Sequence, residues 1–80
     1  MNSTGRKRYM PARQRISENL RRVRKERGLS QEELAELADF HRTYVSQLER
    51  QVTNISIDGL ERLAIALEID VMELLKFPTD

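Results

Sequence analysis

Apolar residues recur at helical spacing along most of the chain, and the points where the spacing slips divide it into five elements. Residues 1–10 carry no apolar period. Pro11 suits the first turn of a helix, where its missing N–H costs nothing. Ile16, Leu20, Val23 and Arg27 then recur at i, i+4, i+7 and i+11. Gly28 can take the left-handed conformation that ends a helix, so the first helix is predicted over about 12–27. Ser30-Gln31-Glu32-Glu33 is a capping box, in which the Ser30 hydroxyl accepts from the Glu33 N–H and the Glu33 carboxylate from the Ser30 N–H. Leu34, Ala35, Leu37 and Ala38 give a short second helix its apolar stripe. Around Asp39-Phe40-His41 the pattern slips, and Phe40, Val45 and Leu48 begin a third helix. After the polar stretch Gln51-Val52-Thr53-Asn54, Ser56 caps a fourth helix with Leu60, Leu63, Ala64 and Leu67 on one face. Asp70 can cap a short fifth through Met72, Leu74 and Leu75, which Pro78 ends. Nothing alternates like a strand, so the chain reads as all-α.

The second and third helices are too short, and joined by too few residues, to lie antiparallel. They must cross steeply, which is a helix-turn-helix at about 31–50, and Ala35 is small enough to let the two backbones approach. In the third helix Val45, Leu48 and part of Tyr44 face the core. Its open face then presents Arg42, Thr43, Ser46, Gln47 and Arg50. These side chains can read base edges or hold phosphates: Arg pairs with guanine O6/N7, Gln with adenine N6/N7, and the Thr methyl packs on a thymine methyl. N-terminal residues of such a helix reach deepest into the groove, so Arg42 and Thr43 come first as base contacts and Gln47 second. His41, between the helices, suits a cap or a phosphate contact rather than a catalytic base.

Charge sharpens this picture. The net +1 conceals ten Lys/Arg against two Glu in residues 1–30, and four basic against eleven acidic residues in 31–80. Such segregation suits one end to a polyanion. The residues divide into a basic N-terminal arm at 1–10, with Arg6-Lys7-Arg8-Tyr9, and a DNA-binding domain at 11–80. The arm is either a solvated tail or a segment that follows the duplex backbone or enters a minor groove. Enzymatic chemistry finds no footing: one histidine, no cysteine, no Gly-rich phosphate loop and no carboxylate pair in an apolar stretch. No cofactor, metal or small-molecule ligand is expected. No apolar run approaches the roughly 18 residues of a membrane span, and a cytoplasmic location is expected.

The strings Ser30-Gln31-Glu32-Glu33-Leu34-Ala35, Val45-Ser46-Gln47-Leu48-Glu49-Arg50, Asn54-Ile55-Ser56 and Leu60-Glu61-Arg62-Leu63-Ala64 resemble the phage-repressor/Cro-like family over about residues 13–75. The resemblance implies a compact five-helix DNA-binding domain with the third helix in the major groove. It implies Gln31 against a phosphate, which a helix N-terminus attracts in any case. It also implies a structural pair between Arg24 and Glu49. Asp39, Gln51 and Glu68 stand where many family members have Gly; a non-Gly residue at positive φ costs on the order of 1 kcal/mol. Arg42-Thr43-Tyr44-Val45-Ser46, with Asn54-Ile55-Ser56-Ile57, looks most like the controller proteins of restriction–modification systems. That likeness implies base contacts from Arg42 and Thr43 and backbone contacts from Tyr44, Ser46 and Asn54, with Arg50 added on the open face.

A two-fold homodimer on a palindromic double-stranded operator is the expected mode, with the third helices about 34 Å apart. Ile69, Val71, Met72, Leu74, Leu75 and Phe77 are more apolar residues than one short helix buries, which points to dimerisation through helices four and five. The competing reading is an antitoxin or adapter that works mainly by binding protein. The absence of an appended segment before Asp80 favours the regulator.

Overall fold

One or more residues from every helix meet at a single dry centre: Leu20, Leu34, Val45, Leu63, Leu67 and Leu74 are essentially sealed from solvent. The structure is a computed structural model and describes residues 9–78. Its helices run α1 (Ala12–Glu26), α2 (Gln31–Ala38), α3 (Arg42–Glu49), α4 (Ile57–Leu67) and α5 (Met72–Leu75), with no strand among the described residues. None of these helices is long and apolar enough to cross a membrane. α2 and α3 pack on each other, α1 packs on α3 and α5, and α2 packs on α4. The basic cluster Arg6-Lys7-Arg8 lies outside the described residues.

The starts of α2 and α4 follow from their caps. Ser30 Oγ accepts from the Glu33 N–H at 3.0 Å, and Glu33 accepts in return from the Ser30 N–H at 2.8 Å. Ser56 Oγ accepts from the Gly59 N–H at 2.9 Å. At α5 the Asp70 carboxylate accepts from the Met72 N–H at 2.8 Å. His41 occupies the N-cap position of α3, but its side chain makes no cap hydrogen bond, so the capping role expected for it is not realised.

The first four helices end alike. Each closes with a residue at positive φ, namely Gly28, Asp39, Gln51 and Glu68. Around each, one N–H reaches back three residues and the next reaches back five, the Schellman arrangement. Three of the four positions lack glycine, so each bears a local cost of about 1 kcal/mol. Gln51 is exposed, and a Q51G variant is expected to gain up to about 1 kcal/mol, read as a Tm several degrees higher in thermal melts.

Polar side chains of α1 hold the other elements by their carbonyls. Ser17 Oγ donates to the Glu49 carbonyl at 2.6 Å, and Arg21 donates to the same oxygen at 2.7 Å. The fully buried Asn19 amide donates to the carbonyls of Leu74 and Lys76 at 3.1 and 2.9 Å. Arg24 grips the buried Glu49 carboxylate with two N–H groups, at 2.6 and 3.0 Å, and also donates to the Leu29 carbonyl. Burial alone would raise the Glu49 pKa. Hydrogen bonds from Arg24 and Gln31, with the charges of Arg24 and Arg21, outweigh that and hold it below its ordinary 4.5. The sign follows from linkage: a depressed carboxylate contributes stability in full above its unfolded value and loses it as pH falls through the lower folded value. Urea midpoints are therefore expected to fall steeply below about pH 4.5, and less steeply in an R24M/E49L double variant.

Two apolar residues depart from the sequence reading. Leu37 is exposed, because Leu34, Ala35 and Ala38 already fill the inward side of an eight-residue helix and Leu37 lies round the cylinder from them. Leu74 is wholly buried within its own domain, so it leaves the set of C-terminal residues open for association.

Candidate nucleic-acid interface

An α-helix with its side chains is about 10–12 Å across, close to the width of the B-DNA major groove, and α3 supplies eight residues of one. On α3, Val45, Leu48 and Glu49 are buried against the rest of the domain. Arg42, Thr43 and Arg50 are exposed, and Ser46 and Gln47 are half-buried between them. The open side of α3 thus carries two cations, two hydroxyls and an amide, with apolar anchors beneath to fix its tilt.

The turn between α2 and α3 is held from α4. The Arg62 guanidinium donates twice to the Ala38 carbonyl, at 3.1 and 2.9 Å, and also to the Asp39 carbonyl. It lies 4.1 Å from the centroid of the Phe40 ring. These bonds satisfy carbonyls that the end of α2 leaves without intrahelical partners. They also fix the turn that aims α3. Arg62 is legible in the sequence only as part of the string Leu60-Glu61-Arg62-Leu63-Ala64, which gives no hint of its partners.

Tyr44 and Asn54 form one unit. The Tyr44 ring packs on Phe40, with centroids 4.9 Å apart, and its hydroxyl donates to the Asn54 carbonyl at 2.7 Å. Burial raises the Tyr44 pKa, with the Arg62 charge acting against that. The hydroxyl proton is therefore committed to the loop at residues 50–56. Asn54 is exposed, and its side-chain oxygen accepts from Arg13, at the start of α1.

Gln31 also has a partner within the protein: its amide donates to Glu49 at 3.0 Å. The second amide hydrogen remains for a ligand in front of α2, where the first-turn backbone N–H groups also gather. Among the residues that the sequence singles out, α3 brings Arg42, Thr43, Ser46, Gln47 and Arg50 onto one side. Gln31 stands beside the far end of α3 through Glu49, and Asn54 lies beside its first turn through Tyr44. Arg13 does not stand out in the sequence. Its only signal there is its place three residues before the core residue Ile16, on the flank of α1 that meets α3.

Comparisons with known proteins point the same way. The family model Helix-turn-helix, HTH_3, matches residues 20–74. The chain is 40% identical over 67 residues to the control protein C.SmaI of Serratia marcescens, covering 84% of this chain and 80% of that protein. The crystal structure of the hypothetical transcription factor NHTF from Neisseria superposes with a TM-score of 0.83 at 40% identity, covering 85% of this chain and 78% of the other. The crystal structure of SinR, the master regulator for biofilm formation, in complex with DNA gives a TM-score of 0.72 at 40% identity, covering 76% of this chain and 98% of the other.

Proposed function

The chain belongs to the HTH_3 helix-turn-helix family of DNA-binding transcription regulators, which are not enzymes, and on that premise we propose that it reads a palindromic operator as a two-fold homodimer. Arg42 and Thr43 contact bases at the deep end of α3, and Gln47 reads one turn further along. Ser46, Arg50, Gln31 and Asn54 hold phosphates. Tyr44, whose hydroxyl is spent on Asn54, supports that contact by fixing the loop. The observation that carries this reading is the single-sided α3, with Arg42 and Thr43 exposed, Gln47 half-buried beside them and the other side buried.

The run Arg42-Thr43-Tyr44, together with likeness to control proteins of restriction–modification systems, favours control of a restriction–modification operon from the cytoplasm. Selection of bound duplexes from random DNA tests the reading. Two inverted half-sites about 34 Å apart are the expected result, recurring upstream of the chain's own gene and of an endonuclease gene. A selected pool without sequence preference at physiological salt would overturn it.

The dimer is assigned to the α4–α5 end. There Ile65 and Met72 are 69% and 62% exposed, Val71 and Phe77 are also exposed, and Ile69 and Leu75 are half-buried. Exposed apolar side chains gathered on the last two helices and the segments beside them support an association surface there. A two-fold interface uses each residue twice, so one substitution introduces two charges. M72E is expected to weaken the dimer at least about tenfold, read by sedimentation velocity, with an unchanged thermal melt of the monomer.

A further inference from the structure

The regulator reading gives no role to Arg13, at the start of α1. Arg21, Arg22, Arg24 and Arg27 each stand within salt-bridge distance of a glutamate, and Arg62 of an aspartate, while Arg15 is held by the Met10 and Leu75 carbonyls. Arg13 has no carboxylate partner among the described residues; its guanidinium donates instead to the neutral side-chain oxygen of Asn54. Its charge is therefore uncompensated, exposed and held in place.

What this bond leaves over is informative. The side-chain oxygen of Asn54 is the only acceptor its amide group has, and Arg13 uses it. With one lone pair of that oxygen taken, the groups left to the pair are chiefly donors: the remaining guanidinium N–H groups and the Asn54 NH2. A donor-rich surface carrying one positive charge suits an acceptor-only anion, and the planar arginine fork matches phosphate geometry. Base edges, which mix donors and acceptors, suit it less. The two side chains border a cleft of about 280 Å3 between the start of α1 and the loop at 50–56, with Thr53 beside them and Ala12, Ile16 and Leu48 also lining it. From its other side Asn54 is gripped by Tyr44, in the same turn of α3 as Arg42 and Thr43. A phosphate held there would be placed rigidly relative to the base-reading residues.

We propose that Arg13 and Asn54 together hold one phosphodiester of the DNA backbone flanking the half-site, a contact that rests on the regulator reading above. Arg13 supplies charge and Asn54 supplies a neutral donor, so the two act as one clamp.

The test uses the full chain and a duplex recovered by selection, with anisotropy titrations over a range of KCl concentrations for wild type, R13M, R13K, N54A and R13M/N54A. For R13M, the slope of log K against log salt is expected to shrink in magnitude by about 1.8 for the dimer, about 0.9 for the one phosphate held in each half-site. Its affinity is expected to fall by the same factor on selected and on random duplex. R13K keeps the slope, and the R13M/N54A loss is smaller than the product of the single losses. Thermal melts of R13M matching wild type show that the loss is not one of folding. A sequence-selective wild type whose slope R13M leaves unchanged overturns this proposal alone, as does a multiplicative double variant. A wild type without sequence preference overturns the regulator reading, and this proposal with it.

Discussion

R24M is expected to lose about 3–5 kcal/mol of stability, most of what a domain of eighty residues has. Glu49 is 3% exposed, and its carboxylate holds two bonds from Arg24 and one from Gln31. Removing Arg24 leaves a buried carboxylate with Gln31 and the half-exposed Arg21 as its remaining partners. Arg21 stands 3.7 Å away, too far for a hydrogen bond. The Leu29 carbonyl loses its donor as well, and with it the hinge between α1 and α2. The pair itself is not expected to be a large net source of stability, because desolvating two charges costs nearly what their attraction returns. R24M/E49L, which removes both charges and keeps the volume, is therefore expected within about 1–2 kcal/mol of wild type. Urea unfolding followed by circular dichroism decides the matter. A loss under about 1 kcal/mol in R24M would place the pair among ordinary surface ion pairs.

The sequence shows the helices because their boundaries rest on local chemistry. The Ser30–Glu33 box, the Ser56 cap and the core residues Leu60, Leu63, Ala64 and Leu67 all depend on spacing within one turn or two, and each stands in the structure where spacing puts it. Asp39, Gln51 and Glu68 are legible as left-handed positions, although only by resemblance to a family that often has Gly there. Partners distant in sequence are not legible. Ser17 and Asn19 look like ordinary polar residues on a basic helix, yet both are buried to hold carbonyls 32 to 57 residues away. Nothing in their neighbourhood announces this, because the acceptors are helix ends whose position is set by the whole fold. Leu37 misleads for the opposite reason: a hydrophobic residue near an apolar stripe need not be inside it when the helix is only eight residues long.

The candidate site divides along the same line. The open side of α3 is a matter of helical period within one element, so the sequence alone is enough to group Arg42, Thr43, Ser46, Gln47 and Arg50. The flanking groups depend on where a loop and a neighbouring helix come to rest. Neither the commitment of the Tyr44 hydroxyl to Asn54 nor the approach of Arg13 from 41 residues away follows from any local spacing.

R42A is expected to weaken binding to a selected operator by about 1–3 kcal/mol per half-site, and by twice that for a two-fold dimer in which the substitution occurs in both halves. The reasoning is geometric. Arg42 is the first residue of α3, exposed, and its near neighbour Tyr44 ties the turn to the loop. A guanidinium there can place two parallel N–H groups on guanine O6 and N7. An ammonium reproduces the charge without the fork, so R42K is expected to recover only part of the loss. The decisive comparison is between DNA sequences. If Arg42 reads a base, R42A lowers affinity for the selected duplex, spares random duplex and removes the preference at one position of each half-site. If Arg42 holds a phosphate, R42A weakens both duplexes equally and reduces the salt slope by about one per half-site, about two for the dimer, the pattern expected of R13M instead. Anisotropy titrations of the two arginine variants on the same pair of duplexes therefore separate two roles that charge alone cannot distinguish. Equal losses for R42A on both duplexes would move Arg42 from reading bases to holding the backbone, and specificity would then fall to Thr43 and Gln47.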